Sequence, residues 1–328
     1  MKTILVTGIG AIVGQGILQS LNGLVERSEF RVIGLDLDGE TFAQHLCDHF
    51  IKKPDLKEVS PAYLDFWRNL FVQESIDLIL PGIEDDIVFF NKQREAGVNL
   101  PVLLNSPQLL ALSLDKYALA KFAQKAKVLI IPTALASDDK RIQELGLSDA
   151  KAIAKPRASQ GSRGIQRFSA KSELEDFIQT KTREELQTYV VQPEVGSDSE
   201  EYSASIFGFG DGSFGGPIVF RRLLANEGYT KYAETVVCPD GIMETVEAVS
   251  KECSPVGPTN FQFRMQGSQF LLMEINARFS STTSLKTAFG FNEALMSVSY
   301  FLRDGVRVSP NLMHGVAWRH ICDFVRYS

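Results

Sequence analysis

Over residues 271–278 apolar and polar side chains alternate, with Met273, Ile275 and Ala277 set against Glu274, Asn276 and Arg278. This is the period of a half-buried strand. Residues 259–264 alternate in the same way, so the two segments read as a β-hairpin with one face in a core. Directly paired residues share a face, so Gln262 falls opposite Glu274 only across a loop with an odd number of residues. Gly267-Ser268-Gln269 is the expected loop, with the glycine at positive φ. The chain before this hairpin has a different rhythm. An apolar strand from Lys2 to Thr7 turns at Gly8-Ile9-Gly10 into a helix over 11–25, with apolar positions at Ile12, Ile17, Leu18 and Leu21. A strand over 31–35 then ends in Asp36. A helix over 61–73, a strand over 77–80 and a Pro81-Gly82 turn opening another helix continue the alternation, which predicts a parallel α/β unit. Beyond residue 113 the pattern changes to strands at 152–157, 189–195, 213–224 and 231–237. Helices are expected over 172–182 and from 285.

Composition narrows the class. A chain of 328 residues with 44% apolar side chains has room for two or three packed units. Its net charge of −6 and lack of a basic tract argue against nucleic acid or an anionic membrane as partner. Cys47, Cys238, Cys253 and Cys322 stand far apart without a C-x-x-C pair, which fits a reduced, cytoplasmic protein better than a disulfide framework or a zinc site. No apolar run reaches the roughly 20 residues that a bilayer requires. The apolar start is broken by Gly8 and Gly10, so it reads as strand and turn rather than a signal peptide. His45, Cys47 and His49 alternate as in a short strand and lack a fourth ligand at metal spacing.

The hairpin carries the sharpest chemistry. Glu274 and Asn276 offer hard oxygen ligands for Mg²⁺ or Mn²⁺, and the planar guanidinium of Arg278 can hold a phosphate oxygen bidentately. That is a site for a metal-bound polyphosphate, with Gln262 beside it. The strand ending at Lys155 runs through Arg157 into a loop containing Gly161, Ser162 and Gly164, whose backbone N–H groups suit phosphate. It lacks the G-x-x-x-x-G-K-[ST] spacing of a Walker A loop. Gly8-x-Gly10-x-x-x-Gly14 followed by Asp36 suggests a dinucleotide site, but with one residue too many before the last glycine. Glu84, Asp85 and Asp86 in a first helical turn suit the helix dipole. Asp115 before Lys116 reads as an N-cap, and the hydroxyls over 280–284 as caps of the following helix.

Gly257-Pro258-Thr259-Asn260-Phe261-Gln262 followed by Glu274-Ile275-Asn276-Ala277-Arg278 resembles the metal and phosphate signature of the ATP-grasp superfamily. The N-x-Q form is similar to the stand-alone ligases of the carbamoyl phosphate synthase large-subunit-like branch. Many relatives carry Asp or Glu where this chain has Gln262, which removes one negative charge from the metal site. The resemblance implies a Rossmann-like pre-ATP-grasp domain over 1–113, then a two-lobed domain with antiparallel sheets: a small lobe with the phosphate loop over 114–190 and a C-terminal lobe with the metal site over 191–328. It implies that Lys116 reaches the nucleotide phosphates and that Lys155 binds the base edge and α-phosphate. Gln192 and Val195 would flank adenine and Glu201 hold the ribose, while Pro193, which lacks an N–H, obscures the backbone donor. Glu84 becomes a substrate contact facing the crevice, and Arg222 and Lys231 contact substrate or phosphate. The implied activity is ADP-forming carboxylate–amine ligation through an acyl phosphate, with ATP and Mg²⁺ (or Mn²⁺) as cofactors, Gln262, Glu274 and Asn276 as metal ligands, and small-molecule substrates. A homodimer is left open. With one grasp unit and no duplicated half, the chain inherits a mechanism from carbamoyl phosphate synthase and not its product. Two other functions stand beside this one: an NAD(P)-dependent oxidoreductase or epimerase at the glycine turn, and a nucleotide sensor that makes no product. The complete row of Glu274, Asn276 and Arg278 weighs against the sensor.

Overall fold

The computed structural model describes residues 1–57, 60–147, 151–158, 164–197, 201–225, 228–320 and 322–325. The first unit comprises β1 (Lys2–Thr7), α1 (Ile12–Asn22), β2 (Phe30–Asp36), β3 (His49–Lys52), α2 (Pro61–Glu74), β4 (Leu78–Pro81) and α3 (Glu84–Glu95). Its strands are parallel in the order β3-β2-β1-β4. Alternation sends Ile4, Val6, Leu78 and Leu80 onto Ile17, Leu18 and Leu21 of α1, while Leu5, Ile33 and Ile79 pack on Tyr63, Trp67, Phe89 and Phe90 of α2 and α3. With both faces covered, the strands are apolar nearly throughout, as a parallel sheet requires. His45, Cys47 and His49 do not converge: His45 lies in a 3-10 turn (Phe42–Leu46) and stacks on Phe324 at 5.0 Å, and the strand starts only at His49.

The glycines of the first turn serve packing. A Cβ on Gly14 would stand 2.2 Å from the Gly8 carbonyl oxygen, and one on Gly82 would stand 2.3 Å from the Thr7 oxygen and 2.8 Å from Gly14 Cα. Helix α1 therefore meets the ends of β1 and β4 glycine on glycine. Gly82→Ala is expected to lose roughly 1–3 kcal/mol of stability through overpacking, measured as a lower denaturation midpoint at unchanged m-value.

Helices α4 (Pro107–Leu114) and α5 (Lys116–Ala126) follow, capped by Ser106 and Asp115. Their buried faces, Leu109, Leu112, Leu119 and Ala123, share a core with Phe261, Phe263, Leu272 and Ile275. Next come β5 (Ala134–Leu135), α6 (Asp139–Glu144), β6 (Ala152–Pro156), β7 (Gln166–Phe168), α7 (Lys171–Gln179), α8 (Arg183–Leu186) and β8 (Tyr189–Pro193). They build an antiparallel sheet in the order β5-β8-β6-β7 with its own core of Ala154, Phe168, Leu174, Leu186 and Val191.

The remaining elements are β9 (Glu201–Phe209), β10 (Phe214–Leu224), β11 (Thr230–Val236), α9 (Asp240–Cys253), β12 (Val256–Gln266), β13 (Gln269–Asn276), α10 (Thr283–Ala288), α11 (Glu293–Leu302) and β14 (Val316–Trp318). Their strands form an antiparallel sheet in the order β13-β12-β9-β10-β11-β14. Helix α9 is absent from the reading above, although Ile242, Val246, Val249 and Cys253 are buried at helical spacing. The chain after α11 supplies the edge strand β14. In place of one helix from 285 there are two, broken at Gly290, which has φ +83° and whose Cβ would lie 1.9 Å from the Asn311 oxygen. Helix α11 packs back onto the first unit, with Ala294 and Val298 in the core of Ile4 and Ile17. Among the described residues no helix is long and apolar enough to cross a membrane.

Candidate active site

The central hairpin differs from its expected form at the turn. Gly267 and Ser268 alone connect the strands, with Gly267 at φ +61°, and Gln266 pairs with Gln269. Strict alternation from a two-residue turn would set Gln262 against Met273. Instead the register shifts by one residue between Gln262 and Phe263, leaving Met273 as a bulged residue, so Gln262 faces Glu274 after all. A tight turn plus a bulge replaces the three-residue loop and delivers the same parity. The bulge also corrects the expectation for Met273: it leaves the sheet core, packs with Ile131, Val195 and Leu271, and lines a cleft. The strand stops at Asn276, short of Arg278, yet Glu274, Asn276 and Arg278 all line that cleft.

The cleft has a volume of about 770 Å³ and opens between the two antiparallel sheets and the β4–α3 turn. Gln262, Arg264, Glu274, Asn276 and Arg278 come from the large sheet and the chain just after it. Lys155 and Gln192 come from the small sheet, whose strand β8 runs past the expected boundary at 190, Val195 from the chain just after it, Lys116 from α5 and Glu84 from α3. Asn276 Nδ2 donates to Glu274 Oε1 at 3.1 Å. Arg278 Nε donates to Glu84 Oε2 at 3.1 Å, and its Nη1 donates to the Phe279 oxygen at 3.0 Å.

Electrostatics single out three groups. Burial draws the Lys155 ammonium down from its ordinary range, only partly opposed by the charge of Glu274. Lys116 is lowered by burial too, against the pull of Glu274 and Glu84. Glu84 is pushed up by burial; Arg278 opposes this, and Glu274 and Asp85 add to it. A polyphosphate beside the two lysines would favour the charged forms that burial penalises.

The other expected residues fall in varied places. Gln192 is buried, and its Nε2 donates to Thr133 Oγ1 at 2.8 Å. The neighbouring Glu194 N–H donates to the Lys151 oxygen at 2.9 Å. Glu201 is buried against two guanidiniums, Arg222 Nη2 at 2.5 Å and Arg264 Nη2 at 2.8 Å. Arg222 is thereby held at the floor of the cleft. Lys231 is exposed on β11 and does not line the cleft. Gly161 and Ser162 lie outside the described residues, while Gly164 has φ +73°. Arg157 turns back and grips Asp115 through Nε at 2.8 Å and Nη2 at 2.5 Å, which ties the end of β6 to the start of α5 and so Lys155 to Lys116. Of the three acids opening α3, Asp86 is buried against Lys53 at 2.6 Å and Asp85 is exposed, so Glu84 is the one in the cleft. Sequence reasoning overlooked Arg264 and Arg167, which also line it. Arg264 was readable, since it follows Asn260 and Gln262 at the two-residue period of the strand. The glycine turn is closed by its own acid: Gly10 N–H donates to Asp36 Oδ2 at 2.6 Å, so the carboxylate expected on a ribose is engaged within the turn.

Gln262, Glu274 and Asn276 supply oxygen donors with a single negative charge. Among the described residues no three His, Cys, Asp or Glu side chains gather into a metal site. Such a set fits Mg²⁺ only when phosphate oxygens complete the shell, so a metal here would come with a nucleotide.

A family model described as "ATP-grasp in the biosynthetic pathway with Ter operon" matches residues 198–323, the stretch from β9 to β14. The whole chain resembles the biotin carboxylase domain of 2-oxoglutarate carboxylase from Hydrogenobacter thermophilus, solved with MgADP, ADP and bicarbonate. The TM-score is 0.72 at 13% identity, over 96% of this chain and 73% of that one. The chain has the ATP-grasp fold. N5-carboxyaminoimidazole synthetase from Staphylococcus aureus shares this ATP-grasp architecture with a TM-score of 0.69 at 14% identity, over 97% of this chain and 80% of that one. A biotin carboxylase from Campylobacter jejuni, solved as a β,γ-ATP complex, gives 0.72 at 14% identity, over 96% and 74%. No curated protein matches the chain.

Proposed function

We propose that this ATP-grasp chain is an ADP-forming carboxylate–amine ligase that works through an acyl phosphate. The observation that carries the proposal is the row of Gln262, Glu274, Asn276 and Arg278 in one cleft with the buried lysines Lys116 and Lys155. In this reading the adenine lies against Gln192 and Val195. Because the Glu194 N–H is already bonded to Lys151, Val195 is the hinge donor to the base. Glu201 marks the ribose end, and the phosphates run past Lys155 and Lys116. Gln262, Glu274 and Asn276 would hold Mg²⁺ together with the phosphates, and the ion would supply charge neutralisation there. A substrate carboxylate oxygen forms a bond to the γ-phosphorus, the bond to ADP breaks, and Arg278 offsets the charge on the transferred group. An amine then forms the C–N bond and phosphate leaves. Arg222 and Glu84 are the substrate-side contacts, and Lys231 has no part in this arrangement. The N-x-Q pattern keeps the chain beside the carbamoyl phosphate synthase-like ligases.

The test is ADP release from Mg²⁺ and ATP against pooled amino acids, hydroxy acids and amino sugars. Substrate-dependent ADP supports the ligase. ATP binding without ADP from any pool points to a sensor, and absence of ATP binding removes the proposal.

A further inference from the structure

The parallel α/β unit reaches the cleft through Val13 and Glu84. With its glycine turn closed on Asp36, its contribution to the chemistry is concentrated in one carboxylate. Glu84 is the acid that this unit brings to the cleft, where it meets the cations Lys116, Lys155 and Arg278 and shares the space with Glu274 of the metal set. We propose that Glu84 receives the ammonium group of the nucleophile and accepts its proton, so that the second substrate is a primary amine that binds in its protonated form. This rests on the ligase reading above.

The geometry supports it in three ways. Glu84 Oε2 accepts from Arg278 Nε, while Oε1 has no hydrogen-bond donor among the described residues. Its side chain is only 12% exposed, so a cation brought to it meets a largely desolvated anion. Arg278, held at Nη1 by the Phe279 oxygen and at Nε by Glu84, fixes the carboxylate beside the position proposed for the transferred phosphoryl group, so that an amine received at Oε1 arrives next to the acyl phosphate. Neither adjacent acid can substitute, since Asp86 is paired with Lys53 and Asp85 is exposed. Burial already raises the affinity of Glu84 for a proton, the direction an acceptor needs.

The step balances without any further reagent. The ammonium gives one proton to Glu84 and becomes a neutral amine. Its nitrogen forms the bond to the acyl carbon, and the bond from that carbon to the phosphate oxygen breaks. The second proton leaves on the phosphate, and the third stays on the amide nitrogen.

The experiment uses the full chain and its Glu84→Gln variant, with ATP, Mg²⁺ and the pooled acids and amines, with and without hydroxylamine. Hydroxylamine is uncharged at neutral pH and traps an acyl phosphate without surrendering an ammonium proton. Glutamine can still accept the Arg278 hydrogen bond but cannot take a proton. The expected result is that the variant's ratio of amide from the pooled amines to hydroxamate falls by about a hundredfold or more below that of wild type, the usual contribution of a positioned base. Equal loss of both products would overturn the proposal by placing Glu84 in phosphoryl transfer. Unchanged yields of both would overturn it by reducing Glu84 to a hydrogen-bond acceptor for Arg278. If the wild type yields no hydroxamate with any pool, the ligase reading itself falls and this inference with it.

Discussion

Glu274→Ala is expected to lower substrate-dependent ADP formation by at least about a thousandfold while the fold persists. The residue supplies the sole carboxylate of the Gln262, Glu274 and Asn276 set, and Asn276 already donates to it at 3.1 Å. Its removal leaves two neutral amides to hold a divalent ion against bound phosphates. Charge neutralisation by a metal is worth several kcal/mol in phosphoryl transfer, and each 1.36 kcal/mol is tenfold in rate. Gln262→Ala should fall less, because an amide contributes no net charge. The control is circular dichroism and the denaturation midpoint, which should barely move since Glu274 projects into the cleft and not into the sheet core. Parallel Mg²⁺ titrations should show the loss as weaker metal dependence. An alanine variant that releases ADP at the wild-type rate would remove Glu274 from the metal site.

Lys286→Met is expected to destabilise the protein by about 3–5 kcal/mol, the range found when one partner of a buried ion pair is removed. Lys286 and Glu293 are both fully buried, joined at 2.6 Å. The lysine also donates to Ser205 Oγ at 3.2 Å and Ser280 Oγ at 3.1 Å, and Thr283 Oγ1 donates to Glu293 Oε2 at 3.0 Å. The pair lies where α10 and α11 bridge the large sheet to the parallel unit. Methionine fills the volume but leaves Glu293 anionic without a counter-charge. The double variant Lys286→Met/Glu293→Leu should recover much of the loss, because no unpaired charge remains, and the deviation from additivity measures the coupling. Urea denaturation of the four proteins decides it. A single variant within 0.5 kcal/mol of wild type, the ordinary range of a surface change, would mean that the pair contributes little.

The contrast between these two sites shows what a sequence can carry. Glu274, Asn276 and Arg278 were legible because chemistry and period coincide: polar groups at every second position of an apolar strand need a reason to share a face. Lys286 and Glu293 were invisible because a lysine and a glutamate in an amphipathic segment read as solvated charge, and only the packing of α11 on α1 buries them. Arg157, which leads into the glycine loop, holds the cap residue Asp115, a contact that the sequence does not announce. Lys231 matched a pattern but sits on a strand facing away from the cleft, since the orientation of a side chain on β11 depends on its pairing with β10 and β14. Helix α9 went unread although its apolar spacing was available.

By itself the sequence determined the parallel α/β unit and the shared face of Glu274, Asn276 and Arg278, because these follow from local periods, and a period is a property of neighbours along the chain. The two antiparallel lobes and the other nucleotide-facing residues came from the family resemblance. The tertiary structure decided the bulge at Met273, which reconciles a two-residue turn with Gln262 opposite Glu274. It decided the closure of the glycine turn on Asp36 and the ion pair that brings Glu84 from the first unit to Arg278. Glu84 and Arg278 are 194 residues apart. No local period reaches across that separation; the contact exists because the packing of α11 against β1 and α1 brings the β4–α3 turn to the mouth of the grasp.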